Sequence, residues 1–208
     1  MKPAARVFVI DDDADMREAL QSLLESVGLE ATTFPGAQQF LDRYDPATPG
    51  CMVLDIRMPG MSGLDLQGTL TMRGIDIPVI IVTGHAEVPV AVQALKSGAF
   101  DFIEKPFSPQ LLLDRIRRAL EVDTQRRQAA QERAAIMACV AELTPRERQV
   151  MDLVVAGKAN KVIASELGLS PKTVEVHRAQ VMRKMRVDSL AELVRIGLLA
   201  TRGPADGH

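Results

Sequence analysis

The chain has 208 residues, 47% of them hydrophobic, with 25 Lys and Arg against 27 Asp and Glu and a formal net charge of −2, which is long for one domain and comfortable for two small ones with buried cores. No run approaches the ~18 uncharged apolar residues of a membrane span, and the opening MKPAARVFVI lacks the long apolar stretch and small-residue cleavage site of a signal peptide. Two cysteines, Cys51 and Cys139, make neither a disulfide framework nor a metal cluster, which fits a reduced, cytoplasmic setting.

Short β-type runs alternate with amphipathic stretches through the first half. Strands are expected at Arg6–Ile10, Leu29–Thr33, Cys51–Asp55, Val79–Thr83 and Phe102–Ile103, and helices at Asp15–Val27, Ala37–Tyr44, Leu64–Arg73, Val88–Ser97 and Pro109–Leu120. Gly and Pro fill the gaps. Five β/α alternations predict an α/β fold with a doubly wound five-stranded parallel sheet, in which VFVI, CMVL and VIIV are buried on both faces. From Gln110 to Thr144 there is neither Gly nor Pro. Residues 122–142 are therefore expected to be a helical linker, either a solvated single helix or one strand of a dimer coiled coil, with Leu120, Ala130, Ala134, Met137 and Ala141 as its apolar positions. After Leu143 the pattern is all helical. Thr144-Pro145 with Glu147 makes an N-cap, a Pro at N1 and a capping-box Glu for a helix reaching about Ala156. A second helix spans Asn160–Leu167, a third starts at the Ser170 cap and reaches about Met185, and a fourth covers Ser189–Ala200. The domains are thus expected at 1–121 and 143–201, with a flexible tail at 202–208.

Charge divides along the same line. Residues 1–121 hold 11 Lys and Arg against 17 Asp and Glu, whereas residues 122–208 hold 14 against 10. Only the second half is suited to meet a polyanion.

Asp11, Asp12 and Asp13 follow the first strand, and Asp55 ends the third. In a sheet of order 2-1-3-4-5 these strands are neighbours at the topological switch point, so the carboxylates should share one crevice. Oxygen-only ligands favour Mg²⁺ over zinc. Thr83 ends the fourth strand and Lys105 follows the fifth, placing a hydroxyl and an ammonium where they can hold phosphoryl oxygens beside a nucleophilic Asp55. Asp13 is expected to cap the first helix, His85 to be a surface loop residue, and Met58 and Met61 to pack. A dehalogenase-type phosphatase would instead want DxDx[TV] on the first strand, where this chain has DDDAD.

With the DDD, LDIRMPGMSG, VTGHA and DFIEKPF segments in this order, residues 6–121 resemble a CheY-type receiver domain, within it the FixJ-like group. The resemblance implies that a partner sensor histidine kinase phosphorylates Asp55. It further implies that Asp11 (through water), Asp12, Asp55 and the Arg57 carbonyl hold Mg²⁺, that Thr83 and Lys105 grip the phosphoryl group, that Phe102 is the aromatic switch, and that Lys105–Pro106 is cis. Such a domain is no enzyme in the ordinary sense; it would catalyse only its own phosphoryl transfer and slow dephosphorylation.

In the second half a short helix, the turn Gly168-Leu169-Ser170 and a capped third helix have the layout of a helix-turn-helix. Val174, Val181 and Met185 should face the core, while Lys172, Glu175, Val176 and Ala179 project outward. Residues 143–201 hold 10 Lys and Arg against 6 Asp and Glu, and no Phe, Tyr or Trp follows Phe107. Single-strand and RNA readers need aromatic platforms; a helix in the major groove of double-stranded DNA does not. The segments RERQV, NKVIA, LGLS and KTVEVHRAQVMRKM resemble the LuxR/FixJ/NarL four-helix domain. That resemblance places Glu175, Val176 and Ala179 at base edges, Lys161, Lys172, Thr173, Arg178 and Lys184 at phosphates, and His177 on the packed shoulder. The chain is then expected to be a phosphorylation-activated transcription regulator, rather than a constitutive DNA binder. It would bind promoter DNA as a homodimer on half-sites about one helical turn apart, with Val92, Lys96 and Asp101 on the pairing surface. Whether activation works by dimerisation or by relief of occlusion stays open.

Overall fold

Runs such as VFVI and VIIV show no polar alternation because helices cover both faces of the strands they form. In the computed structural model, which describes residues 5–84 and 88–201, these runs are β1 (Arg6–Ile10), β2 (Glu30–Phe34), β3 (Gly50–Leu54), β4 (Val79–Thr83) and β5 (Asp101–Glu104). All pair in parallel, in the expected order β2-β1-β3-β4-β5. The helices of this half are α1 (Ala14–Ser26), α2 (Ala37–Arg43), α3 (Gly63–Met72), α4 (Val88–Lys96) and α5 (Pro109–Ala141). The period of two divides the sheet's side chains between two cores. Val7, Val9, Cys51, Val53, Ile80 and Val82 meet Leu20 and Leu24 of α1 and Leu112 and Ile116 of α5. Phe8, Ile10, Met52, Leu54 and Ile81 meet Phe40 of α2, Leu66 and Leu70 of α3 and Ala94 of α4. Register then sets the site. Ile10 pairs with Leu54, so Asp11 and Asp55 leave adjacent strands side by side, and the Asp55 N–H still donates to the Ile10 carbonyl at 2.9 Å.

The chain forms two units, Met1–Arg127 and Gln128–His208, and the expected linker 122–142 is divided between them. Asp123 is 1% exposed; it accepts from the Gly50 N–H at 2.9 Å and from Arg127 Nε. Arg127 also donates to the carbonyls of Pro46, Ala47 and Thr48. Farther along, Ile136 and Val140 are buried in the core of the second unit. A solvated helix would leave all four exposed. One ion pair and two branched apolar residues suffice to draw each end of an Ala- and Arg-rich helix onto a domain.

In the second unit α6 (Pro145–Val155), α7 (Asn160–Leu167), α8 (Pro171–Lys184) and α9 (Leu190–Thr201) enclose Val150, Met151, Ile163, Val174, Val181 and Leu193. The expected starts are present. Thr144 and Glu147 form a reciprocal capping box, and Ser170 caps α8. Gly168 ends α7 in the left-handed region at φ 64°, a conformation that costs glycine little. The tail 202–208 and His85 lie outside the described residues. Among those described, no helix is long and apolar enough to cross a membrane.

Close backbone approach beneath the acidic strand end makes one glycine testable. A Cβ at Gly63 would lie 2.3 Å from the Asp55 carbonyl oxygen, whereas one at Gly68, inside α3, meets nothing within 4 Å. Urea unfolding should show Gly63→Ala destabilised by about 2 kcal/mol through overpacking. Gly68→Ala should gain about 0.5–1 kcal/mol from helix propensity; equal effects would refute this account.

Candidate functional site

Strand ends supply most of the acidic crevice. Asp11 and Asp55 are 4% and 7% exposed. The Lys105 ammonium lies between them, donating to Asp11 Oδ2 at 2.7 Å and to Asp55 Oδ1 at 3.2 Å. The remaining oxygens are also held: Asp11 Oδ1 accepts from the Asp13 N–H at 2.9 Å and Asp55 Oδ2 from the Arg57 N–H at 2.7 Å. Lys105 is placed by the strand before it, since its own N–H donates to the Thr83 carbonyl at 2.9 Å and its bond to Pro106 is cis. Thr83 is 1% exposed at the end of β4. Phe102 pairs with Ile81 in the sheet and packs, half-buried, on the α2–α4 side.

Electrostatics separate the groups. Burial pushes the Asp55 carboxyl above the ordinary carboxylate range; Lys105 and the Arg57 N–H pull it back incompletely, and the charge on Asp11 adds to the rise. For Lys105 burial alone would lower the pKa, but its hydrogen bond to Asp11 and the charges of both carboxylates outweigh it and hold the ammonium protonated.

Of the expected metal ligands, Asp11 and Asp55 are brought together, whereas Asp12 is exposed. Among the described residues no three His, Cys, Asp or Glu side chains are grouped as around a metal. The donors present are all hard oxygens, two of them carboxylates against one ammonium, and so suit Mg²⁺ and not a soft cation. Asp13 caps α1 as expected, accepting from the Asp15 and Met16 N–H groups. Sequence reasoning missed Arg17, whose Nη1 donates to the Asp11 carbonyl at 2.7 Å and steadies the turn. Its position one turn into α1 was the available signal. Beside Lys105 runs an apolar groove of about 510 Å³, lined by Met16, Leu20 and Leu23 of α1 and by Pro106, Phe107 and Pro109. On α4, Val92 and Lys96 are exposed, while Asp101 is tied to Arg115 at 2.9 Å.

On α8 the inward set is as expected, with Val174, Val181 and Met185 at 0%, 1% and 3% exposure. Lys172, Glu175, Val176 and Ala179 project outward, as does Lys161 on α7. Val176 is a branched apolar side chain left 55% exposed in mid-helix. Thr173 is half-buried and its hydroxyl shares a hydrogen bond with the Ser170 cap. Arg178, half-buried like His177, donates to Asn160 Oδ1 across the helix-turn-helix. Lys184 departs from expectation. Its ammonium donates to Glu147 Oε2 at 2.6 Å and to the Glu142 carbonyl at 3.1 Å, partners inside its own domain that the sequence does not announce. Also unforeseen, Arg146 donates to the Leu167 carbonyl at 3.1 Å, satisfying an orphan acceptor at the end of α7. No local spacing announces either contact.

Two family models match the chain: the response regulator receiver domain over residues 7–117 and the bacterial regulatory proteins of the luxR family over residues 141–196. The transcriptional regulatory protein FixJ of Azorhizobium caulinodans is 48% identical over 99% of this chain and 98% of its own length. Nodulation protein W of Bradyrhizobium diazoefficiens is 47% identical over 92% and 85%. Among solved structures, the response regulator StyR superposes with a TM-score of 0.84 at 45% identity, covering 95% of this chain and 99% of that one.

Glu147 yields a pH prediction. The Lys184 hydrogen bond, with the Thr144 N–H, pulls its carboxyl from 4.5 to about 2 against a smaller opposing effect of burial. A depressed folded pKa contributes stability above the unfolded value and loses it as pH falls through the folded one. Calorimetry should therefore find this contribution intact above about pH 4.5 and progressively lost down to about pH 2. Glu147→Gln should flatten that acid limb. An unchanged acid limb would rule out the ion pair as its source.

Proposed function

The chain belongs to the response regulators that join a receiver domain to a LuxR-type DNA-binding domain, a phosphorylation-dependent transcription regulator, and on that premise we propose that Asp55 is the phosphoacceptor and α8 the DNA-reading helix. The observation that carries the first part is the single Lys105 ammonium within 2.7 Å of Asp11 and 3.2 Å of Asp55. A carboxylate at a strand end, desolvated but incompletely satisfied, is a nucleophile with its counter-charge already in place.

An Asp55 oxygen attacks the phosphorus of a phosphohistidine on a partner histidine kinase. The P–O bond forms as the P–N bond breaks, and the imidazole leaves with the electron pair and takes up a proton. Lys105, one bond from Asp55, then pairs with a phosphoryl oxygen, and the Thr83 hydroxyl with another. The groove of Met16, Leu20 and Pro106 offers the donor an apolar footing beside the carboxylate. Asp11, Asp12, Asp55 and the Arg57 carbonyl would hold Mg²⁺, which when bound neutralises charge on the transferring phosphoryl group. This is not classical enzymology: the chain's chemistry is its own phosphorylation and slow dephosphorylation.

Downstream, α8 enters the major groove with Val176 and Ala179 at base edges and Glu175 beside them, a carboxylate able to accept from cytosine N4. Lys161, Lys172, Thr173 and the free donors of Arg178 meet phosphates. Relatives that carry the name transcriptional regulatory protein support promoter DNA as the partner. The unpaired Cys51 and Cys139 fit a reduced cytoplasm. One recognition helix gives one half-site, so the phosphorylated chain acts as a homodimer, paired through the α4–β5 surface that holds Val92 and Lys96.

Incubation with acetyl phosphate and Mg²⁺ should give a single base-labile adduct by mass spectrometry, absent in Asp55→Asn. Equal labelling of that variant would refute Asp55. Sedimentation with and without beryllofluoride should show monomer passing to dimer; a monomer that gains DNA affinity would refute the dimer.

A further inference from the structure

We propose that Glu147 is a positioning residue of the recognition helix, acting on DNA binding through Lys184 without touching DNA. The proposal rests on the reading of α8 as the DNA-contacting helix. Lys184 is the last residue of α8, and its ammonium reaches Glu147 Oε2 at 2.6 Å and the Glu142 carbonyl at 3.1 Å. The pair is sheltered, with side chains 24% and 8% exposed. The same Oε2 accepts from the Thr144 N–H at 2.8 Å, while the Glu147 N–H donates to Thr144 Oγ1 at 3.3 Å. One carboxylate oxygen thus closes the start of α6 and receives the end of α8.

The other contacts that seat α8 are mainly apolar: Val174, Val181 and Met185 lie in the core. Such contacts are non-directional and tolerate small rolls and slides of the helix. A charge-assisted hydrogen bond to a carboxylate already held by the Thr144 N–H is directional. With about 100° of rotation per residue, a modest roll of α8 would turn Val176 and Ala179 away from base edges. Glu147 and Lys184 hold that roll, together with the Arg178–Asn160 contact on the α7 side.

Salt dependence separates positioning from phosphate contact. A lysine that neutralises a phosphate releases counterions, so its loss reduces the slope of log affinity against log salt by about 0.9. A lysine that only aims the helix lowers affinity at every salt concentration and leaves the slope alone. The experiment uses the full chain, phosphorylated with acetyl phosphate, and a duplex that the wild type selects from a random-sequence pool. Lys184→Met should weaken binding about tenfold with an unchanged slope, and Lys184→Arg should stay within about twofold of wild type because it keeps the charge. Glu147→Gln keeps an N3 side chain able to close the capping box, so it removes only the ion pair and should match Lys184→Met. The double variant should be no worse than either single one, the signature of a shared interaction. Lys172→Ala is the contrast, and its slope should fall. A slope reduced by about 0.9 in Lys184→Met, or undiminished affinity in both Lys184→Met and Glu147→Gln, overturns the proposal. If Glu147→Gln melts too low for titration, the two Lys184 variants decide it alone. A wild type that selects no duplex overturns instead the DNA-binding reading beneath it.

Discussion

Two buried carboxylates at the ends of neighbouring strands are tolerable only because one ammonium lies between them. Asp11 and Asp55 leave β1 and β3 at paired positions, and without a counter-charge their burial and mutual repulsion would each oppose folding. Lys105 supplies that charge from across the sheet, 94 and 50 residues away in the chain. The β4–β5 pairing, the Thr83 carbonyl that accepts the Lys105 N–H and the two cores that fix strand register all serve to bring that ammonium home. The receiver is in this sense built around a charge balance that leaves one carboxylate incompletely satisfied. A phosphoryl group on Asp55, the proposed acceptor, would change that balance at its centre, and the elements that hold Lys105 and Thr83 would be the first to feel it.

The second unit contains a buried carboxylate with the opposite outcome. Glu147 accepts from the Lys184 ammonium and from the Thr144 N–H, and its pKa falls to about 2. Asp55 has one ammonium shared with a competitor and one N–H, and its pKa rises. Each carboxylate receives one ammonium and one backbone N–H. At Asp55 burial outweighs those donors and the Asp11 charge adds to the rise, whereas at Glu147 the Lys184 hydrogen bond outweighs burial, and that balance separates a carboxylate available for chemistry from one that is scaffold.

Much of this was legible because it is local. Strand-end carboxylates, the Asp13, Thr144 and Ser170 caps, the left-handed Gly168 and the outward face of α8 each depend on a few neighbouring residues, and the period of two or 3.6 carries them. Contacts between distant elements were legible where strand order implies them, as for Asp11, Asp55 and Lys105, and not elsewhere. Gly50 and Asp123 are 73 residues apart, Glu147 and Lys184 are 37 apart, and nothing in composition announces that either pair will meet. Hence the segment 122–142 reads as linker although Asp123 near one end and Ile136 and Val140 near the other are buried, and Lys184 reads as a phosphate ligand because a lysine late in a recognition helix looks like free charge.

The misread lysine bears on how charge should be counted in such a domain. The basic surplus of the second half suggested a polyanion partner, but folding removes part of it from availability. Of its lysines, Lys158 is paired with Glu166 at 2.6 Å and Lys184 with Glu147 at 2.6 Å. Among the described residues this leaves Lys161 and Lys172 as the lysines with no carboxylate partner. Both are exposed, on α7 and near the start of α8. Salt-dependent affinity tracks phosphates neutralised and not the formal charge of the domain. Neither pair adds to it directly, yet Lys184–Glu147 ties the end of α8, the helix on which Lys172, Val176 and Ala179 are displayed, to the start of α6. Placing a charged pair inside the domain therefore exchanges raw attraction for orientation, and orientation is what base reading in a groove requires.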